Sequence, residues 1–502
     1  MDETNNTVDL VVIGGGVNGT GIAADAAGRG LSVLLCEQND LASATSSNSS
    51  KLIHGGLRYL EHYEFKLVQQ ALVEREVLLR NAPHIMHPLR FILPHQPHLR
   101  PAWMIRAGLF LYDHLAKRET LASSSGIKFT NDSPLVDSIK KGFKYSDGWV
   151  DDARLVVLNA LSAKSHGADI RTYTRCENIT EQGDHWQVTL STSKEGSDEP
   201  QQFTIKSKAI VNAAGPWVSS LFTHIDNINA PQQIRLVKGS HIIVPRIHQD
   251  EDAYILQNPD GRIVFVLPFE QDFSIVGTTD VEYEGSPSDV AIDDNEIDYL
   301  IEISNQYFKQ KISRNDIISS YSGVRPLMDD ESVDAQKVTR DYTIEEYLSD
   351  DGKPLLSVFG GKITTYRRLS EKVVNQLSKT FPQMTKAWTA STPLPGGDFS
   401  SPNELLAKLE ESHSFIPCNT LYRYVKSYGT LVTTLLADVT KLEDMGQDLG
   451  HGLFEKEVRY LVEHEWARTA DDILRRRTKL GLRFNQEEVD RLEATVQNIL
   501  SK

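Results

Sequence analysis

The feature that most constrains the fold is a glycine-rich segment near the N-terminus, set between two apolar runs. Residues 8–13 form a short, β-branched apolar run, and Gly14, Gly16 and Gly19 follow it in the pattern GxGxxG. Such a run is typical of a strand buried on both faces, and the alanine-rich residues after the glycines favour a helix. A second apolar run reaches Glu37, eighteen residues after Gly19. The spacing predicts a βαβ unit that opens a parallel sheet.

This βαβ unit has the features of a dinucleotide site. Its glycines permit a tight turn, a close approach of the backbone to a pyrophosphate and close helix–strand packing. The helix N-terminus offers free N–H groups to phosphates, and the Glu37 carboxylate can accept a hydrogen bond from a ribose hydroxyl. A glycine-rich turn in an unrelated α/β protein is the alternative, but it would not need the strand, the helix and the terminal acid together.

Length and composition bound the remaining possibilities. The 502 residues suffice for two or three domains, and the net charge of −16 argues against nucleic-acid binding. The acidic, polar N-terminus predicts no signal or transit peptide, and no apolar run is long enough to predict a membrane span. The three widely spaced cysteines, Cys36, Cys176 and Cys418, indicate neither a disulfide framework nor a metal motif, so we expect a reducing compartment and no metal.

A second segment with chemical potential follows the βαβ unit. Residues 44–50 are rich in hydroxyl side chains, and His54, a Gly55–Gly56 pair and Arg58 come shortly after them. The hydroxyl groups suit a loop around phosphates or ring polar atoms, and the glycine pair lets the backbone approach a flat ligand. Taken alone, His54 could equally be a structural histidine and Arg58 a surface cation.

The later chain alternates strands and helices before a proline- and glycine-rich linker at residues 392–402. We expect a buried strand into a small-residue turn at 209–217, a strand-rich stretch at 234–279 and a last strand at 355–359. Asp293 and Glu296 predict a capping box on a helix over 293–308. Beyond the linker the pattern predicts helices with charged faces, and the triplet Arg475–Arg477 is expected to be a solvated face.

The motifs at residues 13–19, 49–60, 321–327 and 359–367 together carry a resemblance. Over nearly its whole length the chain resembles the FAD-dependent, quinone-linked glycerol-3-phosphate dehydrogenases of the bacterial aerobic type, which belong with the amino-acid-oxidase-like flavoproteins. The resemblance implies an α/β fold in which a Rossmann-like FAD-binding domain is interleaved with an antiparallel-sheet substrate domain, followed by a C-terminal helical cap domain.

The same resemblance suggests domain boundaries. Residues 1–80 would begin the FAD-binding domain, and residues 81–118 would form a basic, proline-rich membrane-contact segment. Residues 119–391 would interleave the FAD-binding and substrate-binding parts, with FAD-binding returns at 150–217 and 355–377. Residues 392–502 would form the helical domain.

FAD is the cofactor that the resemblance implies, with Glu37 on the adenosine ribose. The residues expected to bind it are Gly14, Gly16, Asn18, Gly19, Glu37, Thr45, Ser46, Ser49, Ser50, Gly55, Gly56, Cys176, Ala214, Gly215, Gly361, Lys362, Ile363 and Thr364.

The chemistry of alcohol oxidation selects the remaining candidates. A hydride leaves carbon while the hydroxyl proton goes to a base whose pKa lies near neutrality, and His54 is placed to be that base. Arg325 could stabilise the developing alkoxide. A substrate phosphate would need cations and hydroxyl donors, for which the candidates are Arg58, Arg340 and Lys362, with Tyr59 and Thr278.

The function that the resemblance implies is oxidation of sn-glycerol 3-phosphate to dihydroxyacetone phosphate, with electrons passing through FAD to a membrane quinone. A glycerol-3-phosphate oxidase that reduces oxygen to hydrogen peroxide would share these motifs and remains the main alternative. An amine or amino-acid oxidase would bind a carboxylate and would not need so many cations, whereas a flavin-binding interaction protein would not need a histidine beside an arginine cluster. A homodimer is possible from the sequence.

A quinone acceptor requires contact with a membrane, and one segment suits that contact. Residues 77–112 contain no acidic side chain but four arginines and five prolines, and residues 103–112 combine apolar, aromatic and basic side chains. We expect a short interfacial helix that starts at Pro101 and presents Trp103, Phe110 and Tyr112 to the headgroups of anionic lipid. The protein would then be cytoplasmic and bound peripherally to the inner face of the cell membrane. The alternative is a structural loop that packs its apolar residues on the protein itself.

Overall fold

The computed structural model describes residues 7–192, 200–226, 228–328 and 342–502. The strands of this described part are, in chain order, β1 (Thr7–Ile13), β2 (Val33–Cys36), β3 (Leu52–Ile53), β4 (Met86–Pro94), β5 (Ser125–Lys128), β6 (Lys141–Val150), β7 (Asp169–Arg171), β8 (Thr174–Gln182), β9 (His185–Thr192), β10 (Gln201–Asn212), β11 (Ile234–Pro245), β12 (Ala253–Gln257), β13 (Ile263–Phe269), β14 (Phe273–Gly277), β15 (Val281–Tyr283), β16 (Ser319–Met328), β17 (Tyr342–Leu348) and β18 (Pro354–Gly360). Its α-helices are α1 (Val17–Gly28), α2 (Phe65–Asn81), α3 (Ala102–His114), α4 (Asp152–Ser165), α5 (Asp294–Tyr307), α6 (Tyr366–Gln376), α7 (Pro402–Ser412), α8 (Cys418–Tyr428), α9 (Val432–Leu435), α10 (Glu455–Glu465) and α11 (Gln486–Leu500).

The first sheet contains the predicted βαβ unit. Its strand order is β17-β18-β10-β1-β2-β7, and β1 pairs in parallel with both β2 and β10. Leu10, Val11 and Val12 are fully buried, because the central strand is covered on both faces. Helices α4 and α6 pack beside α1 on one face of this sheet. The Rossmann-like half of the predicted fold is therefore confirmed.

Helix α4 is buried on almost all sides, although its sequence, with charged residues among apolar ones, predicts an amphipathic helix. Every residue from Asp152 to Ala160 is buried, and only the last turn reaches solvent. The helix lies between α1 and the C-terminal domain, to which Arg154 is joined by a buried ion pair with Glu465. Asp151 caps the helix by accepting a hydrogen bond from the Arg154 N–H at 3.1 Å.

The second sheet is largely antiparallel, as expected for the substrate domain. Its strand order is β15-β11-β14-β13-β12-β4-β6-β3, with β16 paired to β11 and β5 to β6, and β4 and β12 form a parallel pair. Strand β11 runs unbroken over twelve residues at the start of the stretch predicted to be strand-rich. Helix α5 packs on this sheet, and its predicted capping box between Asp293 and Glu296 is present.

Residues 81–118, expected as one membrane-contact segment, divide between different environments. Strand β4 lies inside the second sheet, where Phe91 and Leu93 are buried. Helix α3 forms as predicted after Pro101, and Trp103 and Phe110 are exposed. The expectation for Tyr112 was wrong, because this side chain faces the protein and is only 3% exposed. No helix of the described ranges is long and apolar enough to cross a bilayer.

The C-terminal domain is helical, with a hydrophobic core of its own drawn from residues 409–499. The prediction of a solvated face at the arginine triplet was wrong for two of its three members. Arg476 and Arg477 lie in a short π-helix over residues 472–477 and point into the molecule, where both contact Asp40 of the first domain. Only Arg475 projects into solvent. The local sequence gives no sign of this pairing, since Asp40 and Arg477 are 437 residues apart in the chain.

Candidate active site

A cavity of 1180 Å³ lies between the two sheets. It is lined at one end by the carboxyl ends of β1, β2, β10 and β18, the edge at which open α/β sheets bind ligands. The cavity continues past β14 and β16 of the second sheet and reaches the outer surface beside α3. One continuous space therefore joins a dinucleotide-type site, a polar middle part and an apolar mouth.

The dinucleotide end is built on the backbone approach that the glycines allow. Gly14 has a φ of +115°, and a Cβ atom at this position would lie 2.5 Å from the carbonyl oxygen of Ala213. The Glu37 side chain accepts hydrogen bonds from the N–H groups of Gly15, at 2.7 Å, and Asn39, at 2.9 Å. Burial raises the pKa of Glu37 above its usual value, although these N–H groups oppose the shift. Each oxygen keeps a lone pair for a ribose hydroxyl.

The loop that returns to this site after β18 comes close to the first helix. Gly361 has a φ of +104°, and a Cβ atom there would lie 3.2 Å from the Asn18 amide nitrogen. Within the described residues, the buried amide oxygen of Asn18 has no hydrogen-bond partner. A buried polar atom left without a partner is uncommon in folded proteins, and a bound ligand would supply one. This end of the cavity therefore fits a dinucleotide.

Most residues expected to bind the cofactor line this cavity. They are Gly14, Gly16, Asn18, Glu37, Thr45, Ser46, Ser49, Ser50, Gly56, Cys176, Ala214, Gly215, Gly361, Lys362, Ile363 and Thr364. Gly19 and Gly55 do not line the cavity and lie behind the residues that do. A Cβ atom on Gly19 would overlap the Gly14 carbonyl, and one on Gly55 would lie 2.5 Å from Leu72. These two glycines permit close packing within the protein.

The hydroxyl-rich loop is held in place by the protein around it. The Thr45 hydroxyl donates to the Val324 carbonyl at 2.7 Å, and the Ser49 hydroxyl donates to the Asp152 carboxylate at 2.7 Å. The Ser46 hydroxyl accepts a hydrogen bond from the Val17 N–H at 3.0 Å, in the first turn of α1. Several hydroxyls that the sequence assigns to the ligand therefore first position the loop that lines the site.

The middle part of the cavity brings together most of the residues predicted to bind the substrate. His54, Tyr59, Thr278, Arg325 and Lys362 all line it. The Lys362 ammonium lies 3.8 Å from the centre of the Tyr59 ring, and an Arg325 nitrogen lies 3.4 Å from the Thr278 hydroxyl. The side chain of Arg58 and the whole of Arg340 lie outside the described residues.

Two further residues bear on this region, and neither was among the candidates from the sequence: Asp280 lines the cavity, and His241 lies behind the lining residue Ser50. Asp280 pairs with the Arg325 guanidinium, which orients that group and offsets part of its charge. His241 stacks on Tyr321 and lies 2.9 Å from the Ser50 hydroxyl. Burial, with the charge of Arg325, lowers the pKa of His241 to about 3. The position of Asp280 just after a buried strand could have drawn attention to it, whereas His241 has no comparable signal.

The mouth of the cavity carries a cluster of exposed apolar side chains, here named the apolar rim. Three of its members also line the cavity, namely Phe65, Met104 and Leu111. The apolar rim consists of Tyr63, Phe65, Trp103, Met104, Phe110 and Leu111. Exposed apolar clusters of this kind mark contact sites on soluble proteins.

Comparison with known proteins identifies the family. A protein-family model described as FAD dependent oxidoreductase matches residues 9–367 of the sequence. A second family model, described as the C-terminal domain of alpha-glycerophosphate oxidase, matches residues 387–502. Together they span most of the chain.

Individual relatives agree with these matches. The chain is 54% identical to a glycerol-3-phosphate dehydrogenase of Pseudomonas aeruginosa, over 98% of this chain and 95% of that protein. It is 52% identical to the aerobic glycerol-3-phosphate dehydrogenase of Escherichia coli, over 97% of this chain and 96% of that protein. The structure of a Bacillus halodurans glycerol-3-phosphate dehydrogenase complexed with FAD matches with a TM-score of 0.74 and 26% identity, over 100% of this chain and 95% of that one. The chain therefore belongs to the FAD-dependent oxidoreductase family, among its glycerol-3-phosphate dehydrogenases, and FAD is its cofactor.

Proposed function

We propose that this protein oxidises sn-glycerol 3-phosphate to dihydroxyacetone phosphate and passes the electrons to a membrane quinone. The observation that carries the proposal is the convergence of His54, Arg325 and Lys362 on one cavity that continues into the FAD site. A histidine, a guanidinium and an ammonium together match an alcohol that carries a phosphate. The names of the relatives support the same substrate.

FAD, held by residues such as Gly14, Asn18 and Glu37, would supply the acceptor for the hydride that leaves the alcohol carbon. His54 removes the hydroxyl proton, because a neutral imidazole is a suitable base near neutral pH. His241 is a poor alternative, since its pKa of about 3 makes it a weak base. Arg325 stabilises the developing negative charge on the oxygen, and Asp280 keeps the guanidinium oriented.

The phosphate is held at the other end of the substrate by Lys362, with Tyr59 and Thr278 as hydroxyl donors. We assign Arg58, which lies in the motif at residues 49–60, and Arg340 to the same group, because the chain resembles this family over nearly its whole length. A guanidinium binds phosphate through two parallel hydrogen bonds, so these arginines would add affinity and orientation.

Anaerobic mixing of the purified holoenzyme with glycerol 3-phosphate tests the reaction directly. We expect the yellow colour of oxidised FAD to bleach with this substrate, but not with glycerol or glycine, because neither carries a phosphate. Adding a short-chain quinone should restore the colour faster than air does, with little hydrogen peroxide. Rapid, stoichiometric peroxide formation would instead identify an oxidase, and a failure to bleach would refute the proposed substrate.

The apolar rim supports docking on a membrane surface, where a quinone dissolved in the bilayer could reach the cavity. Trp103 is 70% exposed and Phe110 is 57% exposed. Aromatic side chains of this kind settle at the headgroup level. Arg100 also lies near the mouth, although it is within 3.5 Å of Glu61, and Arg106 donates to the Ser124 hydroxyl at 2.9 Å. We therefore assign most of the affinity to apolar burial rather than to charge.

The double substitution Trp103→Ala with Phe110→Ala should release the enzyme from anionic vesicles. Burying each large apolar side chain is worth about 1.5–3 kcal/mol, whereas a basic residue near the surface contributes roughly 1 kcal/mol. Vesicle sedimentation measures the bound fraction. A matched control replaces Leu348 and Ile318, which are exposed apolar residues outside the apolar rim. Unchanged vesicle binding in the first variant, or equal loss in both, would show that the rim is not the anchor.

A further inference from the structure

A buried hydrogen-bond network joins the inner face of helix α3 to the loop that carries His54. The Tyr112 hydroxyl accepts a hydrogen bond from the Gly55 N–H at 2.8 Å. The same hydroxyl donates to the Asp147 carboxylate, whose oxygens lie 2.8 and 2.9 Å away. Arg75 completes the network with an ion pair to Asp147 at 2.5 Å. Tyr112, Asp147 and Arg75 are each at most 3% exposed.

The network fixes both the position and the protonation state of the tyrosine. Burial raises the pKa of Tyr112 well above its ordinary value, and the Asp147 charge raises it further. The phenol therefore remains protonated and donates to the carboxylate while it accepts from the backbone. Gly55 has no side chain to interfere, and a Cβ atom at this position would lie 2.6 Å from the Tyr112 oxygen.

The neighbouring backbone group is held from the opposite side. The His54 N–H donates to the Thr364 hydroxyl at 3.3 Å, and Thr364 belongs to the loop that returns to the cavity after β18. Two consecutive N–H groups, those of His54 and Gly55, are thus fixed by different parts of the chain. The Gly55 N–H has two acceptors, the Tyr112 hydroxyl at 2.8 Å and an Asp147 oxygen at 3.4 Å, so Tyr112 makes the shorter contact. Tyr112 does not itself line the cavity.

We propose that Tyr112 is a positioning residue for the oxidation, whose hydroxyl sets the orientation of the His54 imidazole by holding the Gly55 N–H. The inference rests on the proposed function of His54 as the base. Proton transfer requires the base within hydrogen-bond reach of the substrate hydroxyl. A displacement of about 1 Å can lower the rate on the order of 10²-fold. Without the Tyr112 hydroxyl the Gly55 N–H keeps only the longer contact to Asp147, so turnover should slow without weaker substrate binding.

The chain contains a closely matched control for this tyrosine. In the C-terminal domain the Tyr428 hydroxyl donates to Glu457 at 2.6 Å, and Arg423 pairs with the same carboxylate. Tyr428 is fully buried and does not line the cavity. Tyr112→Phe and Tyr428→Phe therefore each remove one buried hydroxyl from a tyrosine–carboxylate–arginine group, but only the first lies beside His54.

The experiment measures both variants as holoenzymes, with glycerol 3-phosphate and a water-soluble electron acceptor. For Tyr112→Phe we expect kcat to fall about tenfold, with KM within about twofold and the FAD content unchanged. The deficit in kcat should shrink as the pH is raised, because solvent base can then replace a badly oriented imidazole. Hydrogen exchange followed by mass spectrometry should show faster exchange in the peptide containing residues 54–56. Tyr428→Phe should change neither kcat nor this exchange.

The outcomes separate the inference from the function on which it rests. If Tyr112→Phe and Tyr428→Phe behave alike in kcat and exchange, Tyr112 has only a structural role and the inference is overturned. If His54→Ala is itself fully active, the proposed function of His54 fails first. A slow His54→Ala beside a normal Tyr112→Phe overturns the inference alone. Should Tyr112→Phe not fold, 3-fluorotyrosine at position 112 keeps the ring and weakens the hydroxyl as an acceptor, and an unchanged kcat would then overturn the inference.

Discussion

Replacing His54 by alanine should lower kcat with glycerol 3-phosphate by about 10²–10⁴-fold, while FAD stays bound. The residue follows β3 and lines the cavity together with Arg325 and Lys362. Because the imidazole acts on the substrate hydroxyl, the loss should appear mainly in kcat and much less in KM. Steady-state kinetics with a water-soluble acceptor, beside the absorption spectrum of bound FAD, measures both effects.

Chemical rescue provides the control for this substitution. Added imidazole should restore part of the His54→Ala activity, because the cavity opens to the surface and the alanine leaves room for a small base. The restored rate should rise with pH through the pKa of free imidazole. A variant whose kcat stays within threefold of the unmodified enzyme would remove His54 from the role of base.

The substitution Asp40→Asn should lower the stability of the protein by about 3–5 kcal/mol, the usual cost of removing one partner from a buried ion pair. Arg476 and Arg477 contact Asp40 at 2.6 and 2.7 Å, and Arg477 is fully buried. The substitution leaves two guanidinium groups with a weaker partner at the contact between the first domain and the C-terminal domain. Urea unfolding at pH 7 measures the change.

The loss of stability in Asp40→Asn should also depend on pH, and it should be smaller in acid. Burial alone would raise the pKa of Asp40, but Arg477 and Arg476 outweigh it, so the pKa is lowered in the folded protein. A carboxyl with a lowered folded pKa stabilises the protein above its unfolded pKa of about 3.9, and this contribution is lost as the pH falls through the folded value. The difference in the free energy of unfolding between Asp40→Asn and the unmodified protein should therefore be constant from about pH 5 to 8 and shrink below about pH 4.

Asp471 supplies a matched control for Asp40. It also pairs with Arg476, at 3.1 Å, but its side chain is 53% exposed. Solvent screens such a pair, so Asp471→Asn should lower the free energy of unfolding by no more than about 1 kcal/mol. Equal losses of stability in Asp40→Asn and Asp471→Asn would contradict the assignment of the buried pair as the stronger contact.

Easier release of FAD from Asp40→Asn would agree with the position of Gln38, Asn39 and Ala42, which follow Glu37 and line the cavity.

Local sequence patterns were sufficient for much of the fold and for the dinucleotide end of the site. The apolar run before Gly14, the alanine-rich helix and the second run before Glu37 form the predicted βαβ unit. The capping box at Asp293 and Glu296 marks the start of α5. Both features depend on contacts between residues close in sequence, and their residue types and spacing are visible in the chain itself.

The middle of the site was predicted as a set of residues, but its geometry was not. His54, Thr278, Arg325 and Lys362 lie in four distant parts of the chain, and the resemblance to a family grouped them before any contact was known. The pairing of Arg325 with Asp280 was not anticipated. It depends on how β14 and β16 each pair with β11 in the second sheet.

The sequence by itself determined where strands and helices form and which glycines approach the cofactor, because these properties depend on short-range periodicity and on backbone sterics. The tertiary structure alone decided which charged and aromatic side chains are buried. Tyr112 and Phe110 sit two residues apart on α3, yet one faces a buried carboxylate and the other faces solvent. Arg475 and Arg477 differ in the same way. A charge or a hydroxyl is stable in the interior only beside a partner, and the partners Asp40 and Asp147 come from distant parts of the chain that only folding brings near.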